Sequence, residues 1–130
     1  MQVGNLSSWP ALPLQWIGHD GPVRSVSYSL NGACIVTGSN NKTIRIWDAM
    51  SGAVVGEPLM GDNGGVPSVI YSPNGQHIIS GSYNHTIRIW DAETGAVISN
   101  PLKGHTGQVL SIAYSPNGCH ITSGSSDCTI

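Results

Sequence analysis

Thr43-Ile44-Arg45-Ile46-Trp47-Asp48 and Thr86-Ile87-Arg88-Ile89-Trp90-Asp91 are one hexapeptide, TIRIWD, written twice with a period of 43 residues. Other residues keep that period. Tyr28, Tyr71 and Tyr114 share one register, and Gly38, Gly81 and Gly124 share another. The chain is therefore three copies of one unit, and the third copy breaks off at Thr129-Ile130, before its Arg-Ile-Trp-Asp.

Alternation inside the hexapeptide sets Ile44 and Ile46 on one face of a strand and Thr43, Arg45 and Trp47 on the other. Working outward, Val23 to Tyr28 read as a first strand, and Asn31-Gly32 is a turn signal of the kind two-residue hairpins favour. Ile35 to Gly38 form a second strand, and a tight turn through Asn40 and Asn41 leads into the hexapeptide as the third. After Ser51-Gly52, a fourth strand begins at Ala53 to Val55 and ends at Pro58-Leu59. Unit two repeats this with Val66 to Tyr71, Ile78 to Gly81, the hexapeptide and Ala96 to Ile98, and unit three supplies Val109 to Tyr114 and Ile121 to Gly124. No helix is expected. Trp16 falls in the register of Leu59 and Leu102, so residues 11 to 17 read as an outer strand of a preceding unit, with Pro10 and Pro13 suited to a sheet edge. The expected division is 1–17 for that segment, 18–60 and 61–103 for two full units, and 104–130 for the truncated third.

Four short antiparallel strands per period describe one blade of a β-propeller, an all-β fold in which each unit buries its faces against its neighbours. Charged residues are 9% of the chain and the net charge is -2, so no basic field is present to hold a phosphate backbone. Neither nucleic acid nor a membrane is an expected partner, since no apolar run approaches the roughly 20 residues of a spanning helix. The odd set Cys34, Cys119 and Cys128, with no signal segment at the start, points to a reducing, cytoplasmic setting.

The pairs Gly18-His19 and Gly104-His105, the segments Tyr71 to Gly75 and Tyr114 to Gly118, and the Trp-Asp pairs Trp47-Asp48 and Trp90-Asp91 resemble WD repeats, the tryptophan-aspartate repeats of β-propellers. The resemblance covers about residues 11 to 130. The copies are also unusually alike, which is similar to the near-identical WD arrays of fungal receptors that carry a NACHT-type nucleotide-binding domain. No phosphate-binding loop with its Lys and Ser/Thr is present here.

The resemblance implies a buried hydrogen-bonded chain of His, Ser or Thr, Asp and Trp in each unit. Carried over by register, unit one offers His19, Thr37, Asn41 and Trp47; unit two offers Asp62, Ser80, Asn84 and Trp90; unit three offers His105, Ser123 and Asp127 without the Trp. A hydroxyl both gives and accepts, so it can join an indole donor to an imidazole. Asn41 and Asn84 put a neutral amide where the family has a carboxylate, and unit two puts Asp62 where it has His, which argues that Asp62 points to solvent. No unit holds the full set, and restoring Asp at 41 or 84 is expected to add stability.

His105, Ser123 and Asp127 also spell a hydrolase triad, but no oxyanion donors or G-x-S-x-G turn accompany them, and unit one carries the same register with Thr and Asn. No enzyme activity and no cofactor is expected. Two registers could suggest metal ligands: Cys34, His77 and His120, and Lys42, His85 and Cys128. Equivalent positions on successive blades stand about 10 Å apart, whereas ligands converge to about 2 Å from a metal, so these are expected to be variable surface positions.

The resemblance places partner contacts beside the first strand's opening valine and just before the Asp position. Here these are Pro22, Arg24 and Asn40; Gly65, Pro67 and Tyr83; Gln108, Leu110 and Ser126. Arg24, Tyr83, Gln108 and Leu110 are the favoured contacts, and Arg45 and Arg88 are read as structural surface residues. The leading expectation is a non-enzymatic scaffold that docks a protein. The alternatives are a self-assembling propeller that binds glycans as some repeat lectins do, and a truncated fragment of a larger WD-repeat protein. Three periods span 129 residues, so Ile130 falls in the register of Met1 and two chains head to tail would supply six blades.

Overall fold

A computed structural model describes residues 18–60 and 64–130. The expected outer strand at 11–17 and the orientation of Asp62 fall outside those residues. Within them the chain is all β, in three antiparallel sheets that follow the repeat. The first sheet contains β1 (Val23–Tyr28), β2 (Cys34–Ser39), β3 (Thr43–Asp48) and β4 (Leu59–Met60), in that order. The second contains β5 (Ser68–Tyr71), β6 (His77–Gly81) and β7 (Ile87–Asp91), and the third contains β8 (Val109–Tyr114) and β9 (Ile121–Ser125).

The hexapeptide forms β3 over its whole length, with Trp47 opposite Ile35 and Ile44 opposite Gly38. Its two faces point at different neighbours, so both are buried. Ile44 and Ile46 pack with Val36, Leu59, Val66, Val69, Ile78 and Trp90, which joins the isoleucine face of unit one to the tryptophan side of unit two. Ile79, Val109 and Ile112 form the corresponding cluster between units two and three, flanked by Ile70, Ile87, Ile89, Tyr114 and Ile121. Burying several branched side chains at each seam, at about 1.5–3 kcal/mol apiece, is what holds successive units together.

Close approach of the inner strands explains the conserved glycine register of the copies. A Cβ on Gly38 would lie 2.9 Å from Val66 Cγ1, and one on Gly81 would lie 2.7 Å from Val109 Cγ1. Val66 and Val109, which open the inner strands of units two and three, thus seat against the glycine of the unit before. The inner strands are also tied by hydroxyls: Ser25 Oγ accepts the Val69 N–H at 3.1 Å, and Ser68 Oγ accepts the Ile112 N–H at 3.1 Å.

Two expectations change. The Asn31-Gly32 turn is a four-residue loop closed by the Ser29 N–H on the Cys34 carbonyl, because Asn31 Oδ1 accepts both the Ser29 hydroxyl and the Ala33 N–H. Ser72 with Asn74 and Ser115 with Asn117 repeat the motif. The fourth strand is interrupted. In unit one it consists of a bridge from Val54 to Trp47 and the short β4, with left-handed Gly56 (φ 69°) and Pro58 between them, and in unit two only the bridges Trp90 to Val97 and Ile87 to Leu102 remain. Proline carries no N–H for the ladder and the left-handed glycine turns the chain, so the outer edge pairs only at its ends.

Candidate functional site

The entering segment, second strand and third strand of unit one bring His19, Thr37 and Trp47 together. The Trp47 indole N–H donates to Thr37 Oγ1 at 2.9 Å, and Thr37 Oγ1 lies 2.6 Å from His19 Nε2. His19 Nδ1 in turn lies 3.2 Å from Thr43 Oγ1, which donates to Asn41 Oδ1. Donor rules fix the direction of this chain. Asn41 Oδ1 also receives the Thr43 N–H, so it is the acceptor and the single Thr43 hydroxyl proton is committed to it. The Nδ1 of His19 therefore carries the ring proton and donates to Thr43, which leaves Nε2 to accept from Thr37. Burial, and after it the Arg45 guanidinium, hold the His19 pKa below the usual histidine value, in keeping with a neutral ring.

Thr43 is a member that its place in the strand alternation did not disclose. Its signal was a Thr two residues after the Asn or Asp in every copy, at Thr43, Thr86 and Thr129. Thr43 links Asn41 to the imidazole as well, beside the direct contact implied by the resemblance, an Asn41 side-chain bond that works to raise the His19 pKa against the burial.

Unit three makes that direct contact. Asp127 Oδ2 accepts from His105 Nδ1 at 2.9 Å and from the Thr106 N–H at 3.0 Å, while His105 Nε2 accepts from Ser123 Oγ at 2.8 Å. The hydroxyl and N–H of Thr129 both donate to Asp127 Oδ1. These bonds, the Thr129 hydroxyl foremost, hold the Asp127 carboxyl well below the usual range. In unit two the Trp90 indole N–H donates to Ser80 Oγ at 2.9 Å, and Asn84 Oδ1 accepts the Thr86 N–H and hydroxyl.

Asp48 and Asp91, at the ends of the third strands, cap the next turn. Asp48 Oδ1 accepts the N–H groups of Met50 and Ser51, and Asp91 Oδ1 accepts those of Glu93 and Thr94. Arg45 departs from its reading as a surface residue: it is half-buried, and its Nε is shielded from solvent without a hydrogen-bond partner.

The register of Lys42, His85 and Cys128 has a conformational meaning, since all three adopt left-handed backbone with φ of 72°, 76° and 71° in the turns between second and third strands. Among the described residues no three His, Cys, Asp or Glu side chains converge to hold a metal. Cys34 is half-buried. It packs against Tyr71 in a groove of about 460 Å³ between units one and two, also lined by Ile46, Val55 and Ala92. Burial, followed by Cys34, pushes the Tyr71 hydroxyl up to about 12.

The candidate partner residues gather on one rim. In each unit one main-chain bond joins the residue before the opening valine to the turn before the third strand: Asn40 N–H to the Pro22 carbonyl, Tyr83 N–H to Gly65, and Ser126 N–H to Gln108. Pro22, Arg24, Gln108, Leu110 and Ser126 are exposed, whereas Asn40, Pro67 and Tyr83 are half-buried and Gly65 is buried under the Tyr83 ring. Arg24 Nε donates to Asn40 Oδ1 at 3.1 Å.

Antiparallel sheets stacked at a fixed sequence period, with a repeated indole-hydroxyl bond, define a propeller-type repeat protein. The family described as WD domain, G-beta repeat matches residues 12–48, 55–91 and 96–130, and the chain belongs to it. A periodic tryptophan protein 2 homolog from Schizosaccharomyces pombe is 48% identical over 42 residues, which is 32% of this chain and 5% of that protein. The ribosome biogenesis protein BOP1 homolog of Oryza sativa is 40% identical over 42 residues, 32% of this chain and 6% of the relative. The vegetative incompatibility protein HET-E-1 of Podospora anserina is 49% identical over 46 residues, 35% of this chain and 3% of the relative. The matched stretch is thus a small part of each relative's length.

Proposed function

We propose that this chain is a non-enzymatic scaffold that docks a protein partner on the rim carrying Arg24, Tyr83, Gln108 and Leu110. The observation that supports this is the set of main-chain bonds joining Pro22 to Asn40, Gly65 to Tyr83, and Gln108 to Ser126, which brings together positions where all three otherwise similar copies differ. A rigid frame with changing side chains on one rim is suited to specific recognition, with Arg and Tyr as anchors. The relatives' names attach to different processes, so what they share with this chain is the repeat. The His105, Ser123 and Asp127 set is read as structural, because unit one makes the same imidazole–hydroxyl bond from His19 and Thr37 with Asn41 in the place of the carboxylate. The free thiols of Cys34, Cys119 and Cys128 favour a reducing, cytoplasmic setting.

A photo-crosslinking side chain placed at Arg24 or Gln108, compared with one at Asn74 on the opposite loops, tests the assignment. Crosslinks to one defined protein from the rim positions, lost in Tyr83→Ala, are expected. Crosslinks mainly from Asn74 would move the docking surface to the other end of the blades.

A further inference from the structure

Two departures of unit one from the other copies fall in a single groove. Leu30 stands in the register of Pro73 and Pro116, and Cys34 stands in that of His77 and His120. Both line the groove of about 460 Å³ between units one and two, across from Tyr71 and Pro73. The corresponding groove between units two and three, of about 380 Å³, is lined by the His77 imidazole and Tyr114 instead. The first groove is therefore the more apolar of the two. Both of its walls belong to complete units, so it owes nothing to where the chain begins or ends.

This groove continues past the loops. A second hollow of about 450 Å³ shares Ile46, Val55, Ala92 and Glu93 with it and follows residues 55 to 60 of the interrupted fourth strand. Leu30, Val55 and Met60 on this slot are 81%, 47% and 71% exposed, a run of apolar surface open to solvent. The main-chain groups of Gly56 and Glu57 make no hydrogen bond among the described residues, which leaves donors and acceptors open to an extended chain laid beside them. Charge in the slot is one-sided. Glu57 and Glu93 line it, no described Lys, Arg or His does, and among the described residues neither carboxylate makes an ion pair.

We infer that this slot takes an extended segment of a protein partner in which apolar side chains stand next to a lysine or arginine. The apolar side chains fill the two hollows, and the cation meets Glu93, which both hollows share, with Glu57 farther along. An acidic segment is repelled by the same carboxylates, so the sign of the charge sets the specificity. The inference is independent of the docking rim, whose residues line neither hollow.

A random dodecapeptide library displayed on phage and panned on the 130-residue chain tests it. Enrichment of sequences with Leu, Ile, Val or Met beside Lys or Arg is expected, and a synthetic peptide of the leading sequence is expected to bind more weakly as salt rises. Glu57→Lys with Glu93→Lys, and separately Leu30→Asp, alter exposed positions and are expected to keep the β-sheet circular dichroism. Each is expected to weaken the peptide about tenfold, whereas Tyr83→Ala on the rim leaves its affinity unchanged. The bound peptide is also expected to slow alkylation of Cys34, which lines the groove, and not of the exposed Cys119 and Cys128. No enriched sequence, sequences that are acidic or lack a cation, binding that survives both groove variants, or an unprotected Cys34 would each overturn the inference. Peptides lost in Tyr83→Ala alone would overturn it too, while supporting the rim as the docking surface.

Discussion

Thr37 is the residue on which the unit-one network turns, since its single hydroxyl accepts from the Trp47 indole and donates to His19 Nε2. Thr37→Val keeps the shape and removes both bonds, and it is expected to cost about 1–3 kcal/mol in chemical denaturation. Asn41→Asp is expected to gain about 1 kcal/mol by offering the imidazole the carboxylate that Asp127 offers His105 in unit three. Unit two has no histidine in this register, so Asn84→Asp is expected to gain less, which separates an imidazole effect from a turn effect. The pH dependence has a defined sign. Because the folded pKa of His19 is lowered, the unfolded chain binds more protons near and below its ordinary value of 6.5, and stability falls as pH drops through that range. His19→Asn is expected to flatten that limb of the stability curve. Asp127, also lowered, keeps its contribution above its ordinary 3.8 and loses it only in stronger acid.

At the scale of the element, the turns between second and third strands and the contact of the inner strands carry opposite constraints. Lys42, His85 and Cys128 hold left-handed backbone that costs a residue with a Cβ roughly 1–2 kcal/mol, so His85→Gly is expected to raise thermal stability slightly despite the added freedom of the unfolded chain. Gly38→Ala goes the other way. Its new methyl would meet Val66 Cγ1 and the Val66 carbonyl at 2.9 Å, and a loss of about 1–3 kcal/mol is expected in the same assay. The hexapeptide predicted β3 to the residue because alternation, β-branching and the Trp-Asp terminus agree. The fourth strand was less legible, since the Val-Val and Ile-Ser runs look strand-like while Pro58 and Pro101 prevent continuous pairing. Thr43 went unread because a strand face and a hydrogen-bond role are indistinguishable in one dimension. The partial burial of Arg45 depends on how the entering loop folds over it, which the hexapeptide does not encode.

For the whole molecule, the period carries most of the architecture: it gives the number of units, their antiparallel order and the glycine-valine seams. What it leaves out is which faces are covered, because identical copies have different neighbours. Val26 and Val69 are the same residue in the same register with opposite exposure.

The interrupted fourth strand has a consequence for motion. Inner strands are held by ladders on the sheet and, at the seams between units, by the serines and apolar contacts, while residues 53 to 58 and 96 to 101 are tied only at isolated points. Opening energies should then rise from the periphery toward the axis. Amide exchange is expected to be fastest in those outer segments of both complete units and slowest at Val36, Ile79 and their neighbours, a gradient that runs radially and repeats every 43 residues along the chain.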